Sequence, residues 1–142
     1  LHSRVARSNI WGFSKMGAKV YVCGPPTILP IDIDKMGAII TYNIEDALRD
    51  ADVVYILRLQ KERQKENFLS SLKEYSMFYG IDERKYEKIK KGAIIMHPGP
   101  MNRGIEIRSD VAEKKNALIL NQVTNGIAVR MAVLYLTIGS IK

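Results

Sequence analysis

The chain has 142 residues, 46% of them hydrophobic and 26% charged, with 10 Gly, 5 Pro and a single cysteine, Cys23. That length and composition describe one ordered globular domain; they exclude collagen-like, disordered and disulfide-framed chains, and they are too short for two folding units with a catalytic cleft between them. The formal charge of +7 is carried by two segments, +4 over residues 1–20 and +4 over residues 58–91, while the remainder is −1, a clustering that suits phosphates or small anions.

In chain order, residues 4–16 form the first helical pattern, with Ser3 or Ser8 able to cap it and with Arg4 and Arg7 at its start. Arginine at a helix N-terminus is electrostatically unfavourable unless an anion arrives there, so a ligand carboxylate or a paired side chain would account for it. Apolar runs at 18–23, 38–42, 53–59, 93–97 and 117–122 read as strands buried on both faces, as in parallel sheets. Helical patterns fall between and after them at 44–51, 61–75, 82–90, 109–115 and 126–140. Asn43 and Ser109 offer caps, and Gly17, Gly37 and Gly92 stand where a left-handed residue closes a helix before a strand.

Alternating strands and helices predict an α/β fold, a doubly wound parallel sheet flanked by helices, with functional residues in loops at the strands' C-terminal ends. Only Leu1, His2 and Ser3 precede the first helix, so the sheet is expected to lack its first, central strand, as in a fragment of a longer two-domain chain. Its loss would expose apolar faces on two neighbouring strands.

Two strand ends carry unusual chemistry. In Leu57-Arg58-Leu59-Gln60-Lys61-Glu62-Arg63 an apolar strand breaks into polar and basic groups, and strand alternation puts Arg58 and Gln60 on one face, where a guanidinium and an amide can converge on a carboxylate. Lys61 to Glu66 reads in the first place as a solvated helix start held by Glu–Arg pairs, with the anion site as the other reading. In His97-Pro98-Gly99-Pro100-Met101-Asn102-Arg103-Gly104 two prolines and two glycines shape a stiff loop able to present backbone carbonyls, although such a run is also an ordinary strand terminator. Gln122–Gly126 reads as an Asn-Gly turn opening the last helix, and that helix, apolar nearly all round, is expected to be covered on several sides.

No G-x-G-x-x-G, Walker loop or G-x-S-x-G elbow is present, and two histidines with a lone cysteine provide no metal-ligand spacing. No run reaches the ~18 apolar residues of a membrane span and no secretory signal pattern opens the chain, so a cytoplasmic protein without a membrane partner is expected.

Taken together, HSRVARSN at 2–9, LRLQKER at 57–63, MHPGPMNRG at 96–104 and QVTNGIAVRMAVL at 122–134 resemble the catalytic chain of the aspartate carbamoyltransferases, from end to end and in the family's order. The resemblance implies transfer of a carbamoyl group from carbamoyl phosphate to L-aspartate in pyrimidine biosynthesis, with no metal or cofactor. It implies an aspartate-binding domain over 1–125 and a C-terminal helix over 126–142 that packs on an N-terminal domain outside this chain. Arg4 and Arg58 match the arginines that bind aspartate carboxylates, and Gln60 the supporting amide. Gly99 and Pro100 match the loop whose backbone oxygens hold the carbamoyl NH2 group, with Pro100 in cis; many relatives have leucine at the Gly99 position. Tyr75 to Arg84 falls where the family has a mobile loop that closes over substrate.

The family's phosphate-binding segment, catalytic histidine and a lysine from a neighbouring subunit lie in the N-terminal domain, so no catalytic side chain is expected here and the fragment alone is expected to be inactive. His97 matches a loop position, not that histidine. The family is built on catalytic homotrimers, with a regulatory subunit or a dihydroorotase as further candidate partners. Two alternatives remain: ornithine carbamoyltransferase, whose HCLP and SMG motifs do not occur here, and a basic nucleic-acid-binding module, for which Tyr75, Phe78, Tyr79 and Tyr86 are the available aromatics.

Overall fold

The computed structural model describes residues 3–59 and 71–139. Helix α1 (Arg4–Lys15) begins where the Ser3 side chain accepts the Ala6 N–H at 3.1 Å. It closes at Gly17, whose φ of 82° no β-carbon would favour. Strand β1 (Val20–Cys23) follows and pairs in parallel with β2 (Ala38–Thr41), in a register running from Val20↔Ala38 to Cys23↔Thr41. Two single 3₁₀ turns, Pro26–Ile28 and Asp34–Met36, make up this crossover.

Asn43 then caps α2 (Ile44–Arg49) by accepting the Glu45 N–H at 3.0 Å. Strands β3 (Val53–Tyr55) and β4 (Ile94–Met96) form a second parallel pair, Val53↔Ile94 to Tyr55↔Met96. Between them run α3 (Leu72–Tyr79) and α4 (Glu83–Tyr86), capped by Ser71 and Asp82. Helices α5 (Ser109–Ala112) and α6 (Ile119–Ile138) complete the order.

The α/β class and the parallel pairing match expectation, and Gly37 and Gly92 take left-handed φ values like Gly17. The sheet itself is divided: among the described residues β1 pairs only with β2, and β3 only with β4. Tyr21 on β1, Ile39 on β2 and Val53 on β3 are 40%, 42% and 43% exposed. Apolar cores form on each pair separately, one around Ile10, Ile33 and Ala38 and a larger one joining Leu48, Val54, Ile95, Ile107, Val111 and Ile119.

Three local expectations are corrected. Residues 117–122 are not a strand: Ala117 makes one parallel bridge to Ile95, Leu118 donates its N–H to the Ile95 carbonyl, and the chain is helical from Ile119. An apolar run fits a buried strand or a buried helix equally, and continuity with 126–140 favours the helix. The Asn-Gly turn is consequently absent, because Asn125 and Gly126 lie inside α6, where one glycine costs only about 1 kcal/mol relative to alanine. At α5, Arg108 holds the cap position and Ser109 is the first helical residue.

Beyond Ile119 helix α6 stands largely clear of the rest of the described chain, with Leu120 80% and Tyr135 79% exposed. No helix among the described residues is long and apolar enough to cross a membrane.

Candidate substrate site

Parallel pairing brings the C-terminal ends of β3 and β4 to one edge, and two loops leave there side by side. After Tyr55 the Ile56 N–H still donates to the Met96 carbonyl at 2.9 Å, and Leu57, Arg58 and Leu59 continue outside any ladder. Arg58 is therefore not within the strand, as the apolar run implied, but half-buried three residues past its end. Gln60, Lys61 and Arg63, with the start of the predicted helix 61–75, lie outside the described residues.

The second loop begins at His97. Its Gly99–Pro100 peptide is cis, as the resemblance implied, and Gly99 has a φ of 64°. The loop is fastened to the first by Asn102, whose Nδ2 donates to the Leu59 carbonyl at 3.1 Å. One residue of chain thus separates Arg58 from a hydrogen bond to the proline loop.

Under this loop sits a buried polar cluster. His97 and Glu106 are 0% and 1% exposed, with Nε2 of the imidazole 3.4 Å from Oε1 of the carboxylate. His97 Nδ1 accepts the Gly99 N–H at 2.9 Å, and Glu106 Oε1 accepts the Asn102 N–H. Burial alone would raise the Glu106 pKa, but the His97 side chain and the Asn102 backbone N–H outweigh it and hold the carboxyl below its ordinary value. Helix α6 reaches the same place: Gln122 Oε1 accepts the His97 N–H at 3.0 Å, and its Nε2 donates to the Tyr55 hydroxyl at 2.7 Å.

The segment Tyr75–Arg84, placed by the resemblance at a closing loop, comprises the end of α3, a turn and the start of α4. Its turn is laddered to the strand-like stretch after the proline loop, Ile81 donating to the Glu106 carbonyl and Arg108 donating to the Ile81 carbonyl, both at 3.0 Å. Ser76 Oγ donates to the Gly104 carbonyl at 3.0 Å. A β-carbon on Gly80 would fall 2.3 Å from the Ile105 carbonyl oxygen, so only glycine allows this approach. Buried Lys85 secures the turn from the other side, its Nζ donating to the carbonyls of Met77 at 2.7 Å and Gly80 at 2.8 Å. Tyr75 is pushed up to about 12 by burial, with the Glu106 charge adding to it.

Arg4 opens α1 and is exposed. The last turn of that helix lies at the start of β2, where Ser14 Oγ donates to the Gly37 carbonyl at 3.4 Å. The helix packs through Ile10 against Ile33 and Ala38, on the β1–β2 pair rather than on the pair that carries the proline loop. Cys23 ends β1, and burial pushes its thiol up to about 11, a value that keeps it protonated and unreactive near neutrality. Among the described residues no three His, Cys, Asp or Glu side chains gather into a group that could hold a metal ion.

Sequence reasoning missed Glu106 and Lys85, and it included Asn102 and Gln122 only as members of the loop and last-helix motifs, with no role for their side chains. The one available signal was a glutamate inside the apolar run Ile105–Ile107, where an uncompensated charge would be costly.

Over residues 1–137 the sequence matches the family described as aspartate/ornithine carbamoyltransferase, Asp/Orn binding domain. It is 58% identical over 139 residues to the aspartate carbamoyltransferase catalytic subunit of Desulforamulus reducens, an alignment that covers 98% of this chain and 45% of that protein. The fold resembles the ornithine carbamoyltransferase of Pyrococcus furiosus, with a TM-score of 0.80 at 25% identity over 97% of this chain and 47% of that one. It also resembles the aspartate transcarbamoylase of Trypanosoma cruzi crystallised with carbamoyl phosphate and aspartate, with a TM-score of 0.66 at 28% identity over 82% and 40%. The chain spans under half the length of the curated relatives it matches. With its parallel α/β architecture and a family match across nearly its whole length, this chain belongs to the aspartate/ornithine carbamoyltransferases, in their Asp/Orn binding domain.

Proposed function

We propose that this chain is the aspartate-binding part of an aspartate carbamoyltransferase catalytic subunit, the enzyme that transfers the carbamoyl group of carbamoyl phosphate to the amine of L-aspartate in pyrimidine biosynthesis. The observation that supports the reading is the Asn102–Leu59 hydrogen bond, which ties the residue after Arg58 to the cis-proline loop. In this reading the Arg58 and Arg4 guanidiniums, with the Gln60 amide, bind the two carboxylates of aspartate. The carbonyls of Gly99 and Pro100 accept hydrogen bonds from the carbamoyl NH2 group, so the nucleophilic amine and the carbamoyl carbon meet in a fixed orientation. Leucine at the Gly99 position of relatives is compatible with this, because the contact is made by backbone.

His97 is fully buried and takes no part in proton transfer; this chain supplies binding groups and no catalytic side chain. Donors for the phosphate and the tetrahedral oxyanion come from an N-terminal domain, on which the apolar surface of residues 126–142 packs. The complete enzyme is a cytoplasmic homotrimer that uses no metal or cofactor, binds neither nucleic acid nor membrane, and has a regulatory subunit or a dihydroorotase as candidate partners.

Ornithine is the second reading, favoured by the 0.80 TM-score to the Pyrococcus furiosus enzyme. Against it stand relatives at 55–58% identity that carry the aspartate name, and a cationic Arg58 that would repel a side-chain amine. The test is steady-state kinetics of the full-length subunit with each amino acid and with Arg58→Ala. Turnover with aspartate is expected, together with a raised aspartate KM and a lowered kcat in the variant, because the guanidinium both binds and orients. Preference for ornithine, or aspartate kinetics unchanged in the variant, would remove the assignment.

A further inference from the structure

We propose that His97 and Glu106 are positioning residues, a buried imidazole–carboxylate pair that holds the Gly99–Pro100 carbonyls at the geometry needed to grip the carbamoyl group; the proposal rests on the functional reading above. Each member of the pair holds one end of the loop. His97 Nδ1 takes the Gly99 N–H at 2.9 Å, two residues on, in the manner of an Asx turn. Glu106 Oε1 takes the Asn102 N–H, four residues back. The peptide between Gly99 and Pro100 lies between these two anchors.

The two anchors also lie against each other. With Nδ1 taken up by the Gly99 N–H, the ring's other nitrogen, Nε2, lies 3.4 Å from Glu106 Oε1. The pair is tied to three further elements, to α6 and β3 through Gln122 and Tyr55 and to the 57–59 segment through Asn102 and Leu59. A buried carboxylate and imidazole, 1% and 0% exposed, touch no solvent, so they are placed to act on a ligand only through the loop they hold. Burying a charge merely to pack the loop would be poorer than an apolar core, whereas fixing two backbone N–H groups requires acceptors at these two points.

The test uses the full-length catalytic subunit carrying this sequence, with KM for carbamoyl phosphate and for aspartate measured separately and melting temperature alongside. His97→Asn keeps an oxygen within reach of the Gly99 N–H, and Glu106→Gln keeps one for the Asn102 N–H; His97→Leu and Glu106→Ala keep neither. The Leu and Ala variants are expected to raise the carbamoyl phosphate KM about tenfold while the aspartate KM moves less than about threefold. The Asn and Gln variants are expected to return most of that loss. If His97→Leu fails to fold, His97→Gln, which reaches the Nε2 position and leaves Gly99 unpaired, is compared with His97→Asn, and the Gln variant is expected to show the higher KM. Folded variants whose two KM values equal those of the parent, or rise together, overturn the positioning role. A parent enzyme that transfers no carbamoyl group to aspartate overturns the functional reading and this proposal together, whereas a normal parent with unaffected variants overturns this proposal alone.

Discussion

Replacing Lys85 by methionine tests how the turn beside the substrate site is held. The side chain is 8% exposed, and its Nζ serves two carbonyls at the C-terminal end of α3, those of Met77 and Gly80, where a helix has unsatisfied acceptors and a negative dipole end. Methionine fills similar space without a donor. Hydrogen bonds from a charged donor contribute about 1.5–3 kcal/mol each, and part of that is offset because an ammonium no longer has to be buried, so a net loss of about 2–4 kcal/mol is expected. The loss should appear locally before it appears globally. The Gly80 N–H, which donates to Ser76, and the Ile81 N–H, which donates to Glu106, report opening of this turn. A loss of that size corresponds to roughly 30- to 800-fold faster native-state hydrogen exchange at these two amides. The Ile95 N–H, held by the Asn116 carbonyl within the larger core, should be unaffected by local opening. Exchange at Gly80 and Ile81 within about twofold of the parent would refute the role assigned to Lys85.

Three further outcomes are expected. Gly80→Ala places a β-carbon 2.3 Å from the Ile105 carbonyl and 2.6 Å from that of Ser76, both backbone, and should destabilise by about 1–3 kcal/mol or more in urea unfolding, whereas Gly92→Ala, with open space but a φ of 90°, should lose only what its left-handed backbone demands. Glu106 has a folded-state pKa below its unfolded value, so it adds stability above the unfolded pKa that disappears as pH falls through the folded one; Glu106→Gln should flatten the acid limb of the stability curve below about pH 4.5, and an unchanged limb would contradict the sign. Cys23, pushed up to about 11 by burial, should react slowly with iodoacetamide at pH 8 and markedly faster above pH 10, and rapid labelling at pH 8 would show an exposed thiolate instead.

Much of the site's outline was legible because its signals are local. The Arg58 and Pro100 segments stand out as polar and proline-bounded breaks at the ends of apolar runs, and parallel pairing of those runs requires that both breaks come to one edge. What holds the two breaks together was not legible. The Asn102–Leu59 bond joins residues 43 apart and the Gln122–Tyr55 bond residues 67 apart, and neither an asparagine nor a glutamine carries any pattern that names a distant partner. The fate of 117–122 illustrates the same limit: four apolar residues suit a strand and a helix alike, and the choice follows from what packs against them.

By itself, the sequence determined much that depends on a few neighbouring residues: the cap at Asn43, the left-handed glycines at 17, 37 and 92, the positions of four strands, and the polar character of two strand ends. Tertiary structure alone decided that the four strands make two separate parallel pairs, that α6 begins at Ile119, and that His97 and Glu106, nine residues apart, meet out of water beneath the proline loop. The physical reason is the range of the interactions. Dihedral preference and capping act within a turn, while desolvation and the pairing of buried polar groups depend on which distant segments exclude water from the same volume.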